Sequence, residues 1–162
     1  MNNNNPLISV VIPTLNTRPQ FLKETIKSIE NQTYLPSEII IINNGKDELK
    51  IPECSLPIQQ FKIMSKAGVA QARNFGVCVA NTIYVAFLDD DDFWDLNYLK
   101  YIKTKIDYEE PDCLIANLDQ FKDEKILEYK NADGLVNQNI ILVKNPGITG
   151  SSVVVKKDSF MK

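Results

Sequence analysis

Tyr84-Val85-Ala86-Phe87-Leu88-Asp89-Asp90-Asp91-Asp92 joins an apolar run, Ile83 to Leu88, to four consecutive aspartates. The run reads as a strand buried in a core. A buried strand that opens into an acidic turn places charge at the carboxyl end of that strand. In open α/β sheets this is the edge where ligands bind.

Upstream, Ile8 to Ile12 is a short β-branched run stopped by Pro13, a first strand buried on both faces. Pro19 suits the first turn of a helix. Phe21, Leu22, Ile26 and Ile29 recur at helical spacing, with an end near Gln32-Thr33. Ile39 to Ile42 reads as a second buried strand, running into the turn-forming Asn43-Asn44-Gly45. Lys46 to Pro57 lacks periodicity and reads as loop. Gln60 to Met64 alternates like a third strand. Gly68 opens a helix with Val69, Ala72 and Val79 on one face. Downstream of the aspartates, Leu96, Leu99, Ile102 and Ile106 mark another helix. Cys113 to Ala116 reads as a fifth strand, Phe121 to Tyr129 as an exposed hairpin or edge, and Ser152 to Val155 as a last strand.

This order predicts one α/β domain, three layers deep, with a mostly parallel central sheet. Residues 1–6 read as a polar tail and 7–162 as the domain. The segments after strands one, two and four, Pro13 to Asn16, Asn43 to Gly45 and Asp89 to Asp92, would then share one edge.

Composition narrows the chemistry. The chain has 162 residues, 44% of them apolar, which is enough for one core and too few for two full domains. Eighteen basic against 21 acidic residues leave a net charge of −3, which argues against a nucleic-acid binder. There is no histidine, so Ser-His-Asp triads and His-ligated zinc are excluded. Cys54, Cys78 and Cys113 fit no metal spacing and read as incidental thiols in a reducing compartment. No run approaches the ~18 apolar residues of a membrane span, and Met1 to Asn5 lacks the features of a signal peptide. The expectation is a cytoplasmic protein.

Asp89 to Asp92 crowd their charges within about 10 Å of extended chain, so a cation or strong donors must compensate. Mg²⁺ and Mn²⁺ prefer carboxylate oxygens. By alternation Asp89 and Asp91 share a face. The structural alternative is a solvated turn, with Asp92 or Asp95 capping the helix that begins near Leu96. An EF-hand fails, because Phe93 and Trp94 fall where a ligand and a glycine are required.

Taken together, six stretches resemble family 2 glycosyltransferases of the GT-A fold. Ser9 to Asn16 is similar to that family's first strand and Pro-Thr-Tyr-Asn turn. Ser28 to Tyr34 resembles the Gln-Thr helix ending, and Glu38 to Gly45 the strand ending in Asp-Asp-Gly. Gly68 to Gly76 is similar to the Gly-x-x-x-Ala-Arg-Asn-x-Gly helix, Tyr84 to Trp94 to the strand and DXD motif, and Pro146 to Ser152 to a glycine-serine loop. The resemblance implies a nucleotide-sugar donor, most commonly a UDP-sugar, and Mn²⁺ or Mg²⁺. Pro13, Thr14, Leu15, Asn16, Asn44 and Gly45 would line the base and ribose, with Gly68 at the helix start. Asp90 would lie near the ribose or donor sugar. Asp89 and Asp91 would be the metal pair, with Asp91 the more direct ligand. Lys66 and Arg73 would add positive charge, although Arg73 also suits a structural role bonding loop carbonyls. Trp94 would face the acceptor or simply pack. The implied acceptor is a saccharide or a lipid-linked one in cell-surface polysaccharide or glycoconjugate synthesis, consistent with a peripheral place on the inner membrane face.

Two departures stand out. Asn43 and Asn44 replace the family's aspartates, and Leu15 replaces a tyrosine that could stack on a base. The family's catalytic Asp or Glu lies downstream of the glycine-serine loop. Asp158 is not at the matching position, so the base is expected beyond Lys162 and the chain lacks most of the acceptor half. The rival expectation is a non-catalytic nucleotide- and metal-binding module of the same fold.

Overall fold

The computed structural model describes residues 7–64, 66–117, 119–122, 125–127 and 148–162. Six strands form the central sheet: β1 (Ile8–Thr14), β2 (Glu38–Asn43), β3 (Ile58–Lys62), β4 (Tyr84–Phe87), β5 (Cys113–Ile115) and β8 (Val153–Lys156). Their spatial order is β3-β2-β1-β4-β8-β5. The first four run parallel, and β8 is inserted antiparallel between β4 and β5. β6 (Gln120–Lys122) and β7 (Lys125–Leu127) pair separately, as the hairpin reading expected, although 123–124 and 128–129 lie outside the described residues.

Among the described residues three helices cover the sheet, α1 (Pro19–Glu30) and α3 (Tyr98–Glu109) on one face and α2 (Val69–Val79) on the other. A short α4 (Lys157–Phe160) follows β8. Side chains alternate across a strand. Val10, Ile12, Ile39 and Ile41 therefore meet Leu22, Ile26, Leu99 and Ile106, while Val11, Ile40 and Ile42 meet Ala72 and Val77. Burial on both faces is why these strands are continuous apolar runs. Gly76 lets α2 approach closely: a Cβ there would lie 2.4 Å from Val11 Cγ1.

Several expectations shift. β1 continues through Pro13 to Thr14. Val11's carbonyl accepts the Leu88 N–H, and Thr14's accepts the Asn44 N–H. By alternation Pro13 faces the β4 side beyond that strand's last residue, so its missing donor breaks no ladder bond. β3 lies two residues earlier than the alternation suggested. Val69 and Leu96 are exposed, and α3 begins at Tyr98. Cys78 and Cys113 are exposed and unbridged.

The Gln-Thr ending of α1 has a structural purpose. The Gln32 amide donates to the Ser28 and Asp95 carbonyls, and its oxygen accepts the Leu99 N–H. One buried side chain thus satisfies an orphan donor in the first turn of α3 and ties that helix to α1.

At the opposite, amino end of the sheet Glu38 is buried. Its carboxylate accepts from the Ser9 hydroxyl at 2.7 Å, the Asn81 N–H at 2.8 Å and the Gln59 amide at 2.6 Å. Burial pushes this carboxyl up, but the donors outweigh it and hold it below the ordinary glutamate value. A depressed folded-state pKa stabilises above the unfolded value and loses that contribution as pH falls through the folded one. Glu38→Gln is therefore expected to cost about 2 kcal/mol at pH 7, because the amide introduces a donor among donors. Urea melts across pH should show the gap between the two proteins closing as pH falls below the ordinary carboxylate range.

Candidate functional site

β1, β2 and β4 end side by side, so their following loops meet at one edge of the sheet. Thr14 joins all three. Its hydroxyl donates to Asp90 Oδ2 at 2.5 Å and accepts the Asn16 N–H at 2.9 Å, while its carbonyl accepts the Asn44 N–H at 3.0 Å. Asn16 has φ 57, a left-handed conformation that a short amide side chain tolerates better than most. Its amide holds the Glu48 carbonyl at 3.0 Å. Leu15, between them, is 54% exposed on this edge. Gly45 lies against it: a Cβ there would sit 2.0 Å from the Leu15 carbonyl oxygen.

The two asparagines have a structural reason. Asn43 Oδ1 accepts the Gly45 N–H and its Nδ2 donates to the Asp47 carbonyl, both at 2.8 Å. Asn44 Nδ2 donates to the Ala67 carbonyl at 2.7 Å, tying in the loop before α2. A carboxylate could make neither donation. In that loop Lys66 and Gly68 are exposed. A Cβ at Gly68 would meet nothing within 4 Å, so packing does not demand glycine there.

The aspartates form a turn, closed by the Asp92 N–H on the Asp89 carbonyl at 3.2 Å. The alternation that would have aimed Asp89 and Asp91 together does not apply. Asp89 pairs with Arg73 of α2 at 2.5 Å, and Asp91 with Arg18, just before α1, also at 2.5 Å. Asp92 accepts the Ser151 hydroxyl at 2.5 Å, and that hydroxyl in turn accepts the Asp89 N–H at 3.0 Å. The Asp92 carbonyl accepts from the Thr25 hydroxyl at 2.8 Å. Asp92 is therefore bound into the turn and does not cap α3. Burial pushes the Asp90 carboxyl above its ordinary range, with Asp91 and Asp89 adding to this and the Thr14 hydroxyl opposing it. Burial also raises Asp92, against the Ser151 hydrogen bond.

Trp94 takes the packing role. It is buried, stacks on Tyr98 with centroids 4.4 Å apart, and donates its indole N–H to the Ser151 carbonyl at 2.9 Å. Arg73 likewise serves the turn, pairing with a carboxylate instead of loop carbonyls, and its Nε is buried without a partner.

Among the described residues, no three His, Cys, Asp or Glu side chains converge to hold a metal. A cation held by one or two carboxylates and completed by phosphate oxygens and water needs no such cage. Asp91 suits that chemistry, being a hard oxygen donor on the exposed side of the turn. Asp89 is the second candidate, already engaged by Arg73.

Arg18, Thr25, Gly150 and Ser151 were missed as site residues from sequence. The glycine-serine stretch signalled the last two without giving them a role. A Cβ on Gly150 would lie 1.8 Å from Arg73 Nη2. The guanidinium can swing away, so Gly150→Ala is expected to fold and to release Asp89. The expected cost is about 1 kcal/mol, a fall of roughly 2–4 °C in Tm. A thermal double-mutant cycle with Arg73→Ala should show the loss shrinking when Arg73 is already gone.

The carboxyl ends of the parallel strands β1, β2 and β4 thus gather an acidic turn, an asparagine turn and two arginines at one edge of the sheet. The Glycosyl transferase family 2 model matches residues 9–162, and the chain belongs to that family. It is 32% identical over 117 residues to the glycosyltransferase GlyG of Streptococcus pneumoniae serotype 4, covering 68% of this chain and 38% of GlyG. It is 28% identical over 131 residues to GlyA of the same organism, covering 75% of this chain and 18% of GlyA. The fold is that of S. aureus TarS 1–349 crystallised with UDP-GlcNAc, with a TM-score of 0.69 at 19% identity, covering 93% of this chain and 45% of TarS 1–349. The chain thus spans less than half the length of each of these proteins.

Proposed function

We propose that residues 7–162 form the donor-binding part of an inverting glycosyltransferase that uses a nucleotide-diphosphate sugar, with a UDP-sugar the best fit. The observation that carries this reading is the Thr14 junction, where one threonine bonds both the acidic turn and the asparagine turn. Leu15, exposed beside Gly45, offers an apolar face to a base. The Asn44 amide nitrogen is spent on Ala67, leaving its carbonyl oxygen to accept a base N–H. Asp90, held by the Thr14 hydroxyl, would accept from the ribose hydroxyls. Arg73 and Lys66 supply positive charge toward the diphosphate.

Asp91, with Asp89, would hold Mn²⁺ or Mg²⁺, which when bound neutralises the leaving diphosphate as a Lewis acid. In the transfer the C1–O bond to the diphosphate breaks, the acceptor oxygen bonds C1 from the opposite face, and a general base takes the acceptor proton. No carboxylate of this chain is assigned that base. A saccharide or lipid-linked acceptor, in cell-surface polysaccharide or glycoconjugate synthesis on the cytoplasmic side, is part of the same proposal. Among the described residues no helix is long and apolar enough to cross a membrane.

Calorimetric titration of UDP, GDP, CDP and dTDP, with and without Mn²⁺, tests it. Mn²⁺-dependent binding of UDP is expected. No binding of any nucleotide to the folded chain would sink the proposal. Binding without sugar transfer would assign this chain the binding role alone.

A further inference from the structure

We propose that Arg18 is a resident counterion for Asp91, displaced when a divalent cation arrives and then turned toward the donor's diphosphate, so that metal and nucleotide bind cooperatively through it. The inference rests on the donor-site reading above.

The two arginines of the chain are held very differently. Arg73 is 22% exposed, wedged against Gly150, with its Nε buried. Arg18 is 50% exposed and meets Asp91, itself 37% exposed, through a single Nη2–Oδ2 contact of 2.5 Å. An exposed pair of this kind shifts an equilibrium by no more than about fivefold, so a stronger partner for Asp91 can replace it. Arg18 has somewhere else to rest. That place is the Phe21 ring it already covers while it holds Asp91, its guanidinium carbon 5.4 Å from the centroid, a cation–π contact that survives the loss of Asp91. Its backbone stays anchored, because its carbonyl accepts the Phe21 N–H at 3.1 Å and Pro19 follows directly. The side chain can therefore move while its base remains fixed beside the turn.

The charges supply the coupling. A cation on Asp91 removes Arg18's partner and places positive charge beside the guanidinium, so metal binding alone works against Arg18. A diphosphate arriving with the metal gives the guanidinium a new anionic partner and relieves that cost. Linkage makes the effect reciprocal, so the factor by which UDP tightens Mn²⁺ equals the factor by which Mn²⁺ tightens UDP.

The test uses the whole 162-residue chain and its Arg18→Gln variant. Mn²⁺ binding is followed by electron paramagnetic resonance without UDP, and UDP binding by calorimetry both without Mn²⁺ and at saturating Mn²⁺, the ratio of the two UDP affinities giving the coupling factor. Arg18→Gln is expected to bind Mn²⁺ alone about threefold more tightly and UDP at saturating Mn²⁺ about threefold more weakly, so that the coupling factor falls about threefold. Arg18→Lys, which keeps the charge, should retain most of the coupling, and it serves as the second variant should Arg18→Gln misfold. Unchanged Mn²⁺ affinity in Arg18→Gln, or UDP binding with wild-type coupling, overturns the role of Arg18 while leaving the donor site standing. Absence of UDP binding to both proteins overturns the donor-site reading and the coupling with it.

Discussion

Asp91→Asn is expected to abolish the Mn²⁺ dependence of UDP binding while leaving the chain folded. The carboxylate is exposed, and its ion pair with Arg18 lies at the surface, so its loss costs stability little. Relieving repulsion among the four neighbouring aspartates offsets part of even that. The amide keeps the shape of the side chain and removes its charge, and a neutral oxygen is a poor ligand for a hard divalent cation. Metal held between protein and diphosphate contributes several kcal/mol. A loss of about 3 kcal/mol corresponds to UDP affinity falling roughly 100-fold at saturating Mn²⁺. Binding without metal should tighten by no more than about fivefold, because Arg18 is then released toward the diphosphate. Calorimetry with and without Mn²⁺ separates the two terms. Equal losses in both conditions would show that Asp91 acts on the nucleotide or the fold, and the metal assignment would go.

Gly45→Ala is expected to damage fold and site together. The added methyl would lie 2.0 Å from the Leu15 carbonyl oxygen and 2.6 Å from its carbon. Those atoms are backbone, so no rotamer change relieves the overlap, and the β1 and β2 loops must part. That movement pulls on the Thr14–Asn44 hydrogen bond and on the Asn43 contact with the Gly45 N–H. Overpacking of this kind costs about 1–3 kcal/mol, a Tm lower by roughly 2–12 °C for a chain of this size. Because Leu15 and Asn44 flank the overlap, UDP affinity should fall as well. Gly76→Ala makes the useful contrast. Its methyl would lie 2.4 Å from Val11 Cγ1 in the core, so it should lower Tm with less effect on UDP affinity. If Gly45→Ala melts like the unaltered chain, the loops are not in the contact described.

Much of the fold was legible because it is local. Four isoleucines in a row announce a strand buried on both faces, and Leu22, Ile26 and Ile29 announce the helix face that covers one side of the sheet. The rule that ligands gather beyond parallel strand ends then brought Thr14, Asn44 and Asp90 together. The structure joins those three through hydrogen bonds spanning the three loops. Where the reading slipped, a nonlocal partner had intervened. Asp89 and Asp91 were expected to share a face because an extended chain alternates. The chain turns there, with Asp92 bonded to Asp89, and each carboxylate finds an arginine from a different segment. Asn43 and Asn44 read as departures from a pattern of aspartates. Their amide nitrogens hold carbonyls at Asp47 and Ala67, a use that shows only once those loops are in place.

The sequence by itself determined the α/β class, the order of strands and helices through β4, the edge on which the polar turns fall, and the family. The first three follow from periodicity and turn chemistry, and the family from the resemblance of six short stretches of sequence. The tertiary structure decided that β8 enters antiparallel between β4 and β5, that Trp94 packs on Tyr98 beneath the turn, and that Ser151 clasps Asp89 and Asp92. It also decided which carboxylate each arginine meets and how exposed each pair is. Arg18 and Asp91 stand 73 residues apart, and no local pattern encodes such a pairing. It exists because the β1–β4 ladder brings the start of α1 and the end of β4 to the same edge, and two opposite charges delivered there lower their energy by meeting.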